Sequence, residues 1–145
     1  MHKEYSIEKT FAYGLPHDSD LLEVLNKFCL DNDIRNGFIS VVGSTKTVKL
    51  SFYRQDIRKY IDIENKEFSN DQPLEIVSAS GNVSIRDGKP FVHLHVIVAD
   101  GDGKCIGGHL IKGTTIFAGE AIIQKFSGED LVRSFDKTTS LWLWG

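Results

Sequence analysis

Apolar and polar residues alternate in several stretches of this chain, and a period of two predicts β-strands. The alternation is clearest in residues 47–53 and 91–98. Less regular runs predict further strands at residues 5–14, 38–42, 74–85, 105–111, 114–126 and 141–144. Turn residues at positions 86–89 and 100–103 predict two tight hairpins, which set their strands antiparallel. Residues 54–70 are polar and irregular, with a short strand expected around residues 60–63.

One segment departs from this pattern, because its apolar residues recur at helical spacing. The apolar stripe consists of Leu21, Leu22, Leu25, Phe28 and Cys29. Asp20 is a suitable N-cap, and Glu23 three residues later completes a capping box. Asn36 and Gly37 are suitable residues to stop the helix. We therefore expect one long helix, over about residues 19–32, packed on a mainly antiparallel sheet in an α+β fold.

Length and composition are typical of a globular protein. The 145 residues are enough for a single domain, residues 1–145, and 41% of them are apolar while 26% are charged. No apolar run approaches the roughly 20 residues that a membrane span requires, and the polar start does not match a signal peptide. The two cysteines offer no disulfide framework. We expect a cytoplasmic protein that does not enter a membrane.

Three of the five histidines fall in one predicted hairpin. Residues two apart on a strand share a face, so His93 and His95 are expected to be neighbours. A turn centred on Asp102 sets His95 opposite His109, and residue 93 opposite residue 111. The three imidazoles then converge on one face of the sheet. A slip of one residue in this register would send His109 to the other face.

This histidine cluster has three possible interpretations. Neutral imidazole is the commonest metal ligand, and three imidazoles with an open fourth position suit zinc or another divalent ion. The same side chains could instead form a polar pocket without a metal, or serve the structure alone. Residues 107–108, both glycine, could allow a close approach of a ligand or of neighbouring backbone, or could mark a β-bulge.

A hydrolytic metal site also needs a general base. The candidate carboxylates are Glu120, Asp100 and Glu75, but no spacing places any of them at the histidine cluster. We therefore assign no catalytic residue. The sequence leaves enzymatic activity open and favours a protein that is not an enzyme.

Cations are concentrated in one stretch, where aromatic residues are interleaved with them. The cations are Lys46, Lys49, Arg54, Arg58 and Lys59. Such a stretch could stack bases and contact phosphates, but Asp56 and Asp62 dilute it, and a solvated face is the preferred interpretation. A net charge of −3 and a pI near 5.9 also argue against unaided binding of duplex DNA. Trp142 and Trp144 could stack a ligand, or could bury against a neighbouring element or subunit.

Several short motifs lie at a characteristic spacing. They are LEIVSASG at 74–81, HLH at 93–95, GGHL at 107–110, GEAII at 119–123, DLL at 20–22, DIRNG at 33–37 and VGS at 42–44. Together they resemble the plants-and-prokaryotes-conserved (PPC) domain family, and the resemblance covers nearly the whole chain. Its most specific part is the combination of HLH and GGHL at this separation.

The resemblance implies an α/β fold with a mainly antiparallel sheet, assembled as a homotrimer. It also implies a metal, as in some members, at His93, His95 and His109. Stand-alone prokaryotic members are usually called DNA-binding proteins, and plant members join the domain to AT-hook motifs. This chain has no Arg-Gly-Arg-Pro hook, and its first strand reads FAYG at 11–14, where the family often has an arginine.

The expectation is therefore a homotrimeric DNA-binding protein of the PPC type, with one zinc or other divalent ion per chain at the histidine cluster. The alternative is a metal-dependent enzyme, or a small-molecule-binding protein, that acts in a cleft between subunits.

Overall fold

The structure is a computed structural model that describes residues 2–63 and 72–145. These residues form ten strands and one helix. In chain order they are β1 (Ile7–Leu15), α1 (Leu21–Asp31), β2 (Gly37–Thr47), β3 (Leu50–Arg54), β4 (Lys59–Asp62), β5 (Leu74–Arg86), β6 (Lys89–Ala99), β7 (Cys105–Leu110), β8 (Thr115–Phe126), β9 (Arg133–Asp136) and β10 (Leu141–Trp144). Within the segment 54–70, which was predicted to be irregular, the described residues are the end of β3, a turn and β4. Residues 64–70 of this segment lie outside the described residues.

Eight strands form one sheet in the order β1-β8-β2-β5-β6-β7-β3-β4, while β9 and β10 pair separately as a hairpin. The strand pairs are antiparallel, as predicted. At the centre, β5 and β6 are joined by Asp87 and Gly88, whose φ angles are 52° and 77°. Two consecutive left-handed residues make the type I′ turn, which matches the twist of the strands it joins.

The helix is shorter than predicted. It begins after Asp20, whose carboxylate accepts the N–H of Glu23 at 2.9 Å, and it ends after 11 residues. The stop comes before Asn36, because the Asn32 side chain donates to the Phe28 carbonyl and caps the last turn. No helix in the described part of the chain is long and apolar enough to cross a membrane.

The two faces of β6 have different surroundings. Val92, Leu94, Val96 and Val98 are buried in the core. The Asn26 side chain of α1 accepts the backbone N–H of Val92 at 3.0 Å, so the helix lies against this strand. The alternate residues of β6, which include the two histidines, point to the opposite face. We call this opposite side of the sheet the histidine face.

The C-terminal hairpin β9–β10 lies over one end of the histidine face. The backbone N–H of Ile85 in β5 donates to the Leu131 carbonyl at 2.7 Å, just before β9. On the other side, the Tyr53 hydroxyl in β3 donates to the Thr139 carbonyl in the turn of the hairpin. The hairpin therefore reaches from β5 to β3, and the strands that carry the histidines pass between these two attachments.

Candidate metal centre

The histidine hairpin has the register that the turn predicted. The β6–β7 ladder pairs His95 with His109 without a shift, so both side chains lie on the histidine face. The ladder ends at this pair, and the predicted opposition of His93 and Ile111 does not form. His93 instead lies opposite Asn82 of β5.

The two glycines before His109 allow neighbouring backbone to approach. The absence of a register shift between β6 and β7 rules out the bulge at this place. A Cβ atom on Gly108 would lie 2.9 Å from the Ser51 carbonyl oxygen and 2.8 Å from the Ile63 side chain. Glycine therefore lets β3 pair closely with β7, and this pairing sets Ser51 opposite His109.

The three imidazoles converge, as the spacing predicted. Their ring centroids are 4.9 to 5.7 Å apart, and one ligand nitrogen from each lies within 4.8 Å of the others. The Nε2 atoms of His93 and His95 are 3.3 Å apart. Two nitrogens bound to a tetrahedral zinc ion at its usual bond length are also about 3.3 Å apart. These two nitrogens already have the separation of metal ligands, while the three ligand nitrogens together are spread over distances of up to 4.8 Å.

His109 gives a second indication that the cluster is a metal site. Its Nδ1 atom is buried and has no hydrogen-bond partner among the described residues. The ring packs against Tyr60, with centroids 4.8 Å apart, so its orientation is restricted. Buried polar atoms in proteins are almost always satisfied, and one without a partner requires an explanation. Three imidazoles that include such an atom fit a divalent ion of intermediate softness.

The electrostatics keep two of the imidazoles neutral. Burial lowers the pKa of His93 to about 4, and the charges of His109, Arg133 and His95 act in the same direction. Burial also lowers the pKa of His109 to about 4, with His95 and Arg133 contributing. Metal ligation requires neutral imidazole, so both side chains are available as ligands at neutral pH.

Arg133 is the residue of this site that the sequence did not reveal. It is 8% exposed, and its guanidinium donates to the Ser84 hydroxyl at 2.7 Å and to the Trp142 carbonyl at 2.8 Å. It also donates to Asn82 Oδ1 at 2.9 Å and lies 3.3 Å from Nδ1 of His93. Its sequence surroundings, LVRSF at residues 131–135, are weakly apolar and gave no reason to expect a site residue.

The arginine contact determines the tautomer of His93 in the metal-free protein. Arginine can only donate, so Nδ1 of His93 accepts and the ring proton is on Nε2. That proton is then directed to Nε2 of His95. Ligation through Nε2 of His93 requires the other tautomer, so it would end the direct donation from Arg133 to this ring.

The carboxylates considered as general bases lie elsewhere. Glu120 is on β8, three strands from β6 in the sheet. Asp100 is in the β6–β7 turn, where its carboxylate accepts two backbone N–H groups. Glu75 lies opposite Ala99, at the far end of β6 from the C-terminal hairpin. Among the described residues, the carboxylate that lines the space beside the cluster is Asp62.

The basic stretch is partly neutralised by its neighbours. Lys46 forms an ion pair with Asp18, and Arg54 forms one with Asp56. Each pair is exposed and removes a cation from the surface that nucleic acid would meet. These contacts agree with the preferred interpretation of a solvated face.

A cavity of about 480 Å³ adjoins the histidine cluster under the C-terminal hairpin. His93 and His109 line one side of it, and Arg133 and Trp142 line another. The cluster therefore borders a space large enough for a small molecule.

Comparison with known proteins places this fold and site in a family. The family model described as the Plants and Prokaryotes Conserved (PCC) domain matches residues 2–127. The chain belongs to this family, as its motifs predicted. The C-terminal hairpin, with Arg133 and Trp142, lies beyond the matched residues.

Solved structures resemble the whole chain. A metal-containing protein of Archaeoglobus fulgidus is 36% identical, with a TM-score of 0.88 over 97% of this chain and 96% of that one. A plant- and prokaryote-conserved protein of Pyrococcus horikoshii is 30% identical, with a TM-score of 0.90 over 100% of this chain and 96% of that one. A protein of Bacteroides thetaiotaomicron, described as a candidate DNA-binding protein, is 24% identical, with a TM-score of 0.83 over 97% and 96%.

One curated relative is similar to this chain over only a part of the relative's own length. The bifunctional protein GlmU of Synechococcus sp. (strain JA-3-3Ab) is 32% identical over 116 residues, which are 79% of this chain. The chain spans 17% of the length of that protein.

Proposed function

We propose that this PPC protein binds one divalent metal ion per chain through His93, His95 and His109, with zinc as the first candidate. The observation that carries the proposal is the convergence of three imidazole nitrogens, two of them at the separation of tetrahedral ligands. The related protein of Archaeoglobus fulgidus is described as metal-containing, which supports the same assignment. When bound, the ion would supply a Lewis acid beside the adjoining cavity.

Metal analysis of the purified protein, with titration of zinc into EDTA-treated protein, tests this proposal. His95→Ala is the informative variant because His95 is exposed, so the loss of its ring costs little stability. We expect its zinc affinity to fall by at least about 100-fold, the upper end of the loss that outer-sphere partners cause. His17→Ala is the matched control, since His17 lies outside the cluster. Equal zinc affinity of the two variants would reject the site.

We also propose that the chain forms a homotrimer through its histidine face. This face has exposed apolar side chains on the adjacent strands β8 and β2, and on β6, which β5 separates from β2. They are Phe38, Val42, Ile97 and Ile122, with exposed fractions of 39%, 54%, 43% and 46%. Large exposed apolar patches are typical of association surfaces. Burial of such a patch between subunits would also place the metal site close to a subunit boundary.

Sedimentation velocity measures this association. Ile122→Asp should shift the protein from trimer to monomer, because a carboxylate would be desolvated at the contact. Leu30→Asp is the control, since Leu30 is similarly exposed but lies on α1. A trimer that persists in Ile122→Asp would move the interface to another surface, and a monomeric unmodified protein would reject the assembly.

DNA binding is the second candidate function. Its support is the description of fold relatives such as the Bacteroides thetaiotaomicron protein, together with a similar description of a Ralstonia eutropha protein. Those relatives are below 25% identity, and the net charge of this chain is −3. A gel-shift series with a 30-base-pair duplex at increasing salt concentration measures the interaction. DNA binding predicts affinity that falls steeply with salt, and no shift at low salt would reject it.

A further inference from the structure

We propose that the cavity under the C-terminal hairpin binds a small organic carboxylate with a flat apolar body. The proposal concerns the arginine side of this cavity, which His93 and His109 also border, and it does not require the metal to be bound. Three observations carry it: an uncompensated buried charge, a second arginine with available donors, and aromatic walls.

The charge balance of the cavity favours an anion. Arg133 is 8% exposed, and none of the carboxylates in the described part of the chain lies within ion-pair distance of its guanidinium. Arg86 adds a second positive charge to the lining, and Asp62 is the carboxylate that lines it. A buried charge without a counter-ion is costly. A ligand carboxylate would provide the missing negative charge.

Arg86 is placed to bind that carboxylate directly. Its guanidinium lies 4.5 Å from the centre of the Trp142 ring and 5.4 Å from the centre of Phe91. Its ion pair with the exposed Asp87 is long, at 3.6 Å, and involves only Nε. The two terminal nitrogens have no partner among the described residues. Their planar arrangement suits the two oxygens of a carboxylate.

The walls of the cavity indicate what the rest of the ligand resembles. Phe91, Trp142 and Leu143 give it apolar surface beside the arginines. Its volume of about 480 Å³ is within the range of small-molecule sites. An inorganic anion such as phosphate would leave this apolar surface without a contact. A flat organic acid would use both the charge and the walls.

Binding of benzoate, with benzamide as its neutral counterpart, tests the inference. Trp142 lines the cavity, so a change in tryptophan fluorescence reports occupancy, and calorimetry confirms the affinity. We expect benzoate to bind EDTA-treated protein at least about tenfold more tightly than benzamide, the value of one charge-assisted contact. Inorganic phosphate at the same ionic strength should not compete.

Two variants make the test specific. Arg86→Gln should weaken benzoate binding by about tenfold. Lys89→Gln removes a nearby exposed cation outside the cavity lining and should change it by less than about twofold. Equal effects of the two substitutions, or equal affinities for benzoate and benzamide, would overturn the proposal.

The result is separable from the metal proposal. His95→Ala should lose zinc and keep benzoate, because His95 does not line the cavity. Benzoate binding that disappears when EDTA removes the metal would assign the anion to the metal, and would overturn the arginine site.

Discussion

Replacement of Arg133 by lysine should loosen the C-terminal hairpin, because one ammonium group cannot reach the four acceptors around the guanidinium. The arginine connects β9 to Ser84 and Asn82 of β5, to the Trp142 carbonyl of β10 and to His93 of β6. Lysine keeps the positive charge and the long aliphatic stem. The substitution therefore removes the planar arrangement of donors and little else.

The magnitude follows from the burial of the acceptors. Ser84 is completely buried, so its hydroxyl loses its partner without access to water, at a cost of about 2 kcal/mol. Asn82 and the Trp142 carbonyl are partly accessible and can recover water, so each should cost about 0.5 kcal/mol. The sum is a decrease of roughly 3 kcal/mol in the free energy of unfolding.

Urea unfolding followed by tryptophan fluorescence measures this change, because both tryptophans lie on β10. Far-UV circular dichroism, followed in parallel, reports the main sheet. Arg58→Lys is the control, since Arg58 is exposed in the turn between β3 and β4. We expect the fluorescence midpoint of Arg133→Lys to move to lower urea by more than the midpoint of Arg58→Lys does. A difference between the two variants below about 0.5 kcal/mol would refute the role of Arg133 as the anchor of the hairpin.

Three further outcomes follow from the same contacts. Because burial lowers the pKa of His93 and His109 to about 4, the unfolded metal-free protein binds more protons than the folded one between pH 6.5 and pH 4. Its free energy of unfolding should therefore fall as the pH is lowered through this interval, by about 2 kcal/mol per histidine after allowance for solvent screening, and identical urea midpoints at pH 7 and pH 4.5 would contradict this. Gly108→Ala should destabilise the protein by about 1–3 kcal/mol in the same assay, because a Cβ would press on the backbone of β3, and an unchanged midpoint would show that β3 moves freely. Asp130→Asn should cost about 1 kcal/mol, since Asp130 forms a partly exposed bidentate pair with Arg35, and a stability equal to the unmodified protein would mean that this pair adds nothing.

The local features of the fold could be predicted because they depend on residues close in the chain. The alternation in β6 determined which side chains face the core, and the short turn before β7 determined the pairing of His95 with His109. The N-cap at Asp20 was visible for the same reason. The helix was predicted over about residues 19–32 and covers 21–31, because Asp20 and Asn32 cap its two ends and are not part of it.

The surroundings of the histidines could not be predicted in this way. Ser51 reaches His109 only because β3 pairs with β7, and Arg133 reaches His93 across 40 residues. A period of two shows which face a side chain occupies, but it does not show which distant strand lies beside it. The carboxylates that were considered as general bases, and that no spacing placed at the cluster, lie elsewhere for the same reason, since closeness in the chain did not bring them to it.

The sequence by itself determined the hairpin, its register and the single face that carries His93, His95 and His109, because strand geometry and turn length are local properties. Only the tertiary structure placed the C-terminal hairpin over that face, because the hydrogen bonds that attach it to Ile85 and Tyr53 join residues far apart in the chain. That placement brings Arg133 and Trp142 to the histidines and turns a row of imidazoles into one wall of a cavity.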